Sequence, residues 1–233
     1  MRQKLASIAQ TLRLPALCVL CNQFHKNHLA VCSDCVRFIT PIGPCCQYCA
    51  HPLSENKSNP ICGKCIKKKP HFDKAYIAYQ FEEPLRELLH QFKYHNGLHL
   101  KSFLAHLMLH ALKETTPNQC LIPVPMHAHK LKQRGFNQAA LLTQYLAKKL
   151  KLPYDLGSCK KIINTAPQAS LNGEQRKNNL KNAFTIKPIP YENVILIDDL
   201  LTTGNTANEL ALTLKKSGIK QVSLCCCART VYE

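Results

Sequence analysis

Residues 194–206 read Val-Ile-Leu-Ile-Asp-Asp-Leu-Leu-Thr-Thr-Gly-Asn-Thr, and the architecture is most legible here. Four consecutive apolar residues, Val194 to Ile197, suit a strand covered on both faces, the situation of a strand inside a parallel sheet. Asp198 and Asp199 stand at its carboxyl end. The turn Thr202-Thr203-Gly204-Asn205-Thr206 then leads into a helix predicted over Ala207 to Ser217, closed by Gly218. Open α/β sheets bind ligands outside the carboxyl ends of their strands. Backbone N–H groups at a helix start attract anions, and threonine hydroxyls add donors. Adjacent carboxylates accept hydrogen bonds from the vicinal hydroxyls of a sugar. Sugar at the acids and phosphate at the turn is therefore a reading from chemistry alone. The turn lacks the Gly-Lys-Ser/Thr of a Walker A loop. As a plain connection it would be strained, because two neighbouring acids behind a buried strand need a cation or donors.

Strands and helices alternate on either side. Cys120 to Pro125 is a strand ending in prolines, Asn137 to Leu150 a helix, Ser158 to Ile163 a further strand, and Val222 to Ala228 the last one. Nearer the N-terminus, Tyr76 to Phe81 reads as a strand, Pro84 to Tyr94 as a helix with proline in its first turn, and Leu98 to Glu114 as an amphipathic helix. The pattern predicts an α/β domain over 71–233, with a mainly parallel sheet flanked by helices. The stretch after Pro125, carrying His127, His129, Lys130, Lys132 and Arg134, reads as a basic loop. Thr165 to Asn182 is polar and shows no core pattern.

Residues 1–70 differ. A short amphipathic helix is expected over 2–13, followed by loop-like sequence with nine of the chain's 14 cysteines. A segment this small cannot bury enough apolar surface to fold unaided. Four C-x2-C pairs stand in order: Cys18/Cys21, Cys32/Cys35, Cys46/Cys49 and Cys62/Cys65. One tight turn presents both thiolates of such a pair to a tetrahedral ion, and two pairs complete a four-cysteine site. Two structural Zn²⁺ sites, one from the first two pairs and one from the last two, are the simplest arrangement. A cross-braced pairing or a single ion stays open, as does substitution by His25 or His28. Spacing favours Cys46 over the adjacent Cys45. Met1 to Leu14 builds no apolar secretory core, so zinc in a reducing cytoplasm is expected in preference to disulfides. No apolar run approaches the roughly 18 residues of a membrane span.

The formal net charge is +17, and the excess is densest at the front: ten Lys/Arg against two acids in residues 1–70, and 21 against 12 afterwards. A polyanionic partner suits this field. Phe24, Phe38 and Tyr48 are candidates for stacking on bases, although core packing is the commoner fate of such rings.

Ile197 to Thr206 looks like the 5-phosphoribosyl 1-pyrophosphate motif of type I phosphoribosyltransferases, and the whole chain resembles the ComF family of competence-associated proteins. Further family-like segments are Phe92-Lys93-Tyr94-His95-Asn96-Gly97, Val124-Pro125 followed by Arg134-Gly135-Phe136-Asn137-Gln138, Gln168 through Arg176 to Leu180, and Cys227-Ala228-Arg229. By that resemblance Asp198 and Asp199 would hold the ribose hydroxyls, and Thr202, Thr203, Gly204, Asn205 and Thr206 the 5′-phosphate. Lys130 and Arg134 would meet the pyrophosphate with Mg²⁺, and Gln168 and Arg176 would belong to a closing flap. It also implies a role in natural transformation, with single-stranded DNA and DNA-uptake proteins as partners. Pentosyl transfer needs no protein nucleophile, so both an enzyme and a non-catalytic DNA-binding competence factor fit, as does a purine-related phosphoribosyltransferase. Only four residues follow Arg229, so a cover for the acceptor is expected from the zinc module.

Overall fold

The architecture is that of a computed structural model, which describes residues 15–54, 60–94, 97–112, 116, 118–164 and 182–231. In the cysteine-rich part regular structure is short: a hairpin of β1 (Ala16–Leu17) and β2 (Phe24–His25), then helices α1 (Ser33–Val36) and α2 (Gly63–Lys67). Cys32 and Cys62 take the N-cap positions of these helices. Each helix is thus the continuation of a C-x2-C turn, with Cys35 and Cys65 inside it.

Strands β3 (Lys74–Tyr76) and β4 (Tyr79–Gln80) follow, then α3 (Leu85–Tyr94), a 3-10 turn (Gly97–Leu100) and α4 (Lys101–Ala111). Next come β5 (Gln119–Pro123), α5 (Ala128–Arg134), α6 (Gln138–Leu150) and a hairpin of β6 (Cys159–Lys161) with β7 (Phe184–Ile186). The chain closes with β8 (Asn193–Leu201), α7 (Asn205–Lys216) and β9 (Gln221–Arg229). The main sheet runs β3-β9-β8-β5, with β4 also on β9, and every one of these pairings is parallel.

Central position explains the apolar run of β8, which has β5 on one side and β9 on the other. Alternate residues then serve two cores. Val194 and Leu196 pack with Ala207, Leu210, Ala211 and Leu214 of α7, whereas Ile195 and Ile197 pack with Phe92, Phe103, Leu104 and Leu142 from α3, α4 and α6. Cys226 joins the first core and Cys225 and Cys227 the second, so the run of three cysteines is strand packing.

The zinc module straddles the sheet. Cys46, Cys49, Cys62 and Cys65 belong to the α7-side core, and Cys18, Cys32 and Cys35 to the opposite one. Between the two halves of the module the chain runs along β4: Ile42 N–H donates to Ala78 O at 2.8 Å, and Gln80 N–H to Thr40 O at 2.9 Å. The connecting segment is strapped to α7 by Asp73, whose carboxylate takes Lys215 Nζ at 2.6 Å and Val222 N–H at 2.9 Å.

The α/β class, the parallel sheet and the preceding cysteine module agree with the sequence reading. Several local expectations change. The strand over 76–81 is split between β3 and β4. The second helix begins as a 3-10 turn and runs as α-helix only to Ala111. The basic stretch after Pro125 is helical: His127 caps α5 through Nδ1, accepting from His129 N–H at 3.2 Å, and left-handed Gly135 ends it. Seven residues without an apolar face leave no periodic signal for such a helix. Phe24 and Phe38 are 74% and 72% exposed, so neither is a core residue, while Tyr48 is half-buried beneath Lys69, whose Nζ lies 4.7 Å from the ring. The helix expected over 2–13 and the flap residues Gln168 and Arg176 lie outside the described residues.

Candidate ligand cleft and metal centres

The eight cysteines of the C-x2-C pairs form two groups, Cys18/Cys21/Cys32/Cys35 and Cys46/Cys49/Cys62/Cys65, with the sulfurs of each group within 4.8 Å of one another. Cys21 Sγ is 3.9 Å from Cys32 Sγ, and Cys49 Sγ is 3.6 Å from Cys62 Sγ. A tetrahedral ion with Zn–S bonds near 2.3 Å sets its sulfurs about 3.8 Å apart, whereas a disulfide brings them to about 2.05 Å. The groups therefore fit one ion each. The pairing is sequential, Cys45 stays outside, and His25 and His28 belong to neither group. Backbone donors point at two sulfurs of the first group. Cys32 N–H points at Cys18 Sγ and Cys35 N–H at Cys32 Sγ, each at 3.4 Å. Burial pushes the Cys18 thiol up, but the N–H groups of Cys32, Cys21 and Leu20 bring it down to about 6. Four thiolates leave no open coordination position, so the role of these ions is structural.

The acidic pair lies at the carboxyl end of β8, within the strand. Asp199 is 7% exposed, and its Oδ2 pairs with Lys93 Nζ at 2.7 Å. Lys93 comes from the last turn of α3. Burial opposes its charge, but Asp199 and then Asp198 hold its pKa above the ordinary value. Asp198 is half-buried; desolvation first, and the Asp199 charge second, push it up to about 8. Its Oδ1 accepts Asp199 N–H at 2.9 Å.

Beyond the acids the chain turns through Gly204, left-handed at φ +78°, into α7. A Cβ on Gly204 would sit 3.4 Å from Leu201 Cδ1 in a backbone conformation unsuited to other residues. The first-turn N–H groups of α7 have no partners within the helix and lie where an anion would sit.

A cavity of about 280 Å³ joins the acids to this turn, with Lys93, Lys130 and Lys161 among its walls. An adjoining cavity of about 230 Å³ is reached past the same three lysines and the same two acids, and Arg134 and Gln138 line it. Together they form one cleft, acidic at its floor and cationic along its sides. Burial first, and Lys130 second, pull Lys161 down to about 8.

The outer wall is assembled from the family-like segments. Arg134 stacks on Tyr94, its guanidinium 4.9 Å from the ring, and Phe136 meets Phe92 with centroids 6.3 Å apart. Asn137 Nδ2 donates to Val124 O at 3.1 Å while its Oδ1 caps α6. The buried Gln138 amide has no protein partner at Nε2. Gly97 is obligatory, since a Cβ there would lie 2.6 Å from Gln91 O.

The structure thus gathers Asp198, Asp199, Thr202, Thr203, Gly204, Asn205, Thr206, Lys130 and Arg134 around one cleft. It adds Lys93 and Lys161, which sequence reasoning missed. Lys93 sits in a segment already singled out as family-like, which was the available signal. Lys161, in a short strand rich in lysine, offered none.

Two four-thiolate ribbons clasping a parallel sheet define a class: a double-zinc-ribbon protein with an α/β domain. The family model for the double zinc ribbon domain matches residues 9–66. Over 218 residues the chain is 33% identical to competence protein F of Haemophilus influenzae, covering 89% of this chain and 94% of the relative. It is also 33% identical over 229 residues to DNA utilization protein YhgH of Shigella flexneri, covering 94% of this chain and all of that one. With competence protein ComFC of Bacillus subtilis it shares 23% over 206 residues, 81% of this chain and 79% of the relative. The chain belongs to the competence protein F family.

Proposed function

We propose that this protein binds 5-phosphoribosyl 1-pyrophosphate with Mg²⁺ in the cleft at the end of β8 and acts on single-stranded DNA during DNA uptake, in the cytoplasm. The ligand reading rests on one arrangement: a carboxylate pair facing a phosphate-suited turn across Lys93, Lys130 and Lys161. Asp198 and Asp199 accept the ribose hydroxyls, residues 202–206 take the 5′-phosphate, and Lys130 and Arg134 meet the pyrophosphate. Mg²⁺ supplies charge neutralisation at that pyrophosphate. Should pentosyl transfer follow, the bond from ribose C1 to pyrophosphate oxygen breaks and one to an acceptor forms. The chain's own part is to orient the ribose and stabilise the departing charge. The names of the relatives, competence protein and DNA utilization protein, support the role in DNA uptake. The basic front of the chain and the exposed rings of Phe24 and Phe38 support contact with a strand. Residues 1–70 are then the part that faces nucleic acid, and 71–233 the part that binds the ribosyl phosphate.

The Lys93–Asp199 ion pair favours a second reading, in which the domain senses the ligand without turning it over. Lys93 already holds Oδ2 of this carboxylate at 2.7 Å, so a ribose hydroxyl has to share Asp199 with an ammonium that is in place before the ligand arrives. Titration calorimetry of zinc-loaded protein with 5-phosphoribosyl 1-pyrophosphate and Mg²⁺ should show saturable binding that Asp198→Ala/Asp199→Ala loses. Equal binding by the variant removes the ligand from this cleft. Pyrophosphate release in the presence of single-stranded DNA separates transfer from sensing.

A further inference from the structure

The turn that ends the acidic cleft has a second cavity against it. This space, about 730 Å³, shares Leu201, Thr203, Gly204 and Asn205 with the cleft and extends between α2 of the second ribbon, residues 68–72 and α7. Its size falls within the roughly 300–1,000 Å³ usual for ligand sites.

Its chemistry is that of a phosphodiester. Lys64, Lys68, Lys69, Lys216 and Arg229 line it, against Glu209 as the acid among the described lining residues. Glu209 already accepts Asn182 N–H at 3.3 Å. Half-buried Leu212 adds an apolar contact, with the core residue Phe72 behind the wall. Arg229 is the telling residue. It is 9% exposed, its Nε finds no protein partner, and its charge reaches Cys45 and Cys49 of the second ribbon. Burying a guanidinium with a donor unused costs stability unless an anion completes it. The walls are held in register by the strap described above and by His71 N–H donating to Asn208 Oδ1 at 2.6 Å.

We infer that this groove between the second zinc ribbon and α7 is the seat of a single-stranded nucleic acid, with its backbone phosphates on the lysines and Arg229. The inference rests on the proposed handling of single-stranded DNA and says where the strand lies. Because Thr203, Gly204 and Asn205 wall both spaces, a strand in the groove and a ribosyl phosphate in the cleft act on one turn. Each then changes the affinity of the other by the same factor.

The test is fluorescence anisotropy of a labelled oligothymidylate with zinc-loaded full-length protein at several salt concentrations. Lys68, Lys69 and Lys216 are exposed, so Lys68→Ala/Lys69→Ala/Lys216→Ala leaves the cores untouched. The triple variant should lose about tenfold or more in affinity, and its log–log salt slope should become shallower by about 2, at roughly 0.7 per phosphate contact. Its zinc content and its affinity for 5-phosphoribosyl 1-pyrophosphate without DNA should stay at wild-type values. A variant that binds the oligonucleotide with wild-type affinity and slope overturns the groove while leaving DNA handling intact. Wild-type protein that binds no oligonucleotide even at about 50 mM salt overturns both readings.

Discussion

Asp198, Asp199, Lys93 and Lys161 line one cleft as two acids among two lysines. Asp198 is raised to about 8 from an ordinary 3.8 by burial and then by Asp199. Its folded form therefore keeps a proton that the unfolded chain has released. The contribution to stability is intact below the unfolded value and is lost as pH rises through about 8. Under the proposed function, ligand affinity should depend on the same groups differently. An ionised Asp198 is the better acceptor for a ribose hydroxyl, so binding strengthens as pH climbs towards 8. Lys161, drawn down to about 8 by burial and Lys130, loses its charge in the same range and weakens binding above it. Affinity for Mg²⁺ and 5-phosphoribosyl 1-pyrophosphate should thus pass through a maximum near about pH 8. Lys161→Gln should weaken binding and remove the alkaline limb. Calorimetry across pH checks this, and a monotonic wild-type profile would contradict the assignment of these two groups.

The elements around the cleft are held by a few close approaches. The 3-10 turn after α3 brings Gly97 against the carbonyl of Gln91 and the Cα of Phe92. Backbone atoms there have no room to give. Gly97→Ala should cost about 1–3 kcal/mol, read as a lower urea midpoint, and should weaken ligand binding because Lys93 sits on the same turn of chain. The ribbons carry a comparable burden. Cys62 lies in the α7-side core with Phe72, Leu201 and Leu210, so losing its ion disturbs the sheet as well as the ribbon. Cys62→Ser should reduce metal content from two zinc ions per chain to one and lower the thermal midpoint of the α/β signal in circular dichroism. An unchanged midpoint would mean that the second ribbon is only an appendage.

At the scale of the molecule, the two ribbons grip opposite faces of one sheet and leave a basic groove between the second of them and α7. Charge density, which is highest in residues 1–70, therefore meets the ligand cleft at the Thr203–Asn205 turn. Among the described residues no helix is long and apolar enough to cross a membrane.

The sequence by itself determined the local constellations: the strand, acid pair and turn of residues 194–206, the four C-x2-C turns and the alternation of strands with helices. Their information lies in spacings of a few residues, and burial on both faces of β8 is written directly as four apolar side chains. Only the tertiary structure decided which distant groups meet them. Lys93 and Lys161 reach the acids from α3 and β6, Arg229 meets the second ribbon from the last strand, and Phe24 and Phe38 turn outward although their sequence suits a core. Charge balance and desolvation in these places arise from contacts between remote parts of the chain, and no local pattern records such contacts. Helix α5 escaped the sequence reading for a related reason: it buries no face, so its residues carry no periodicity.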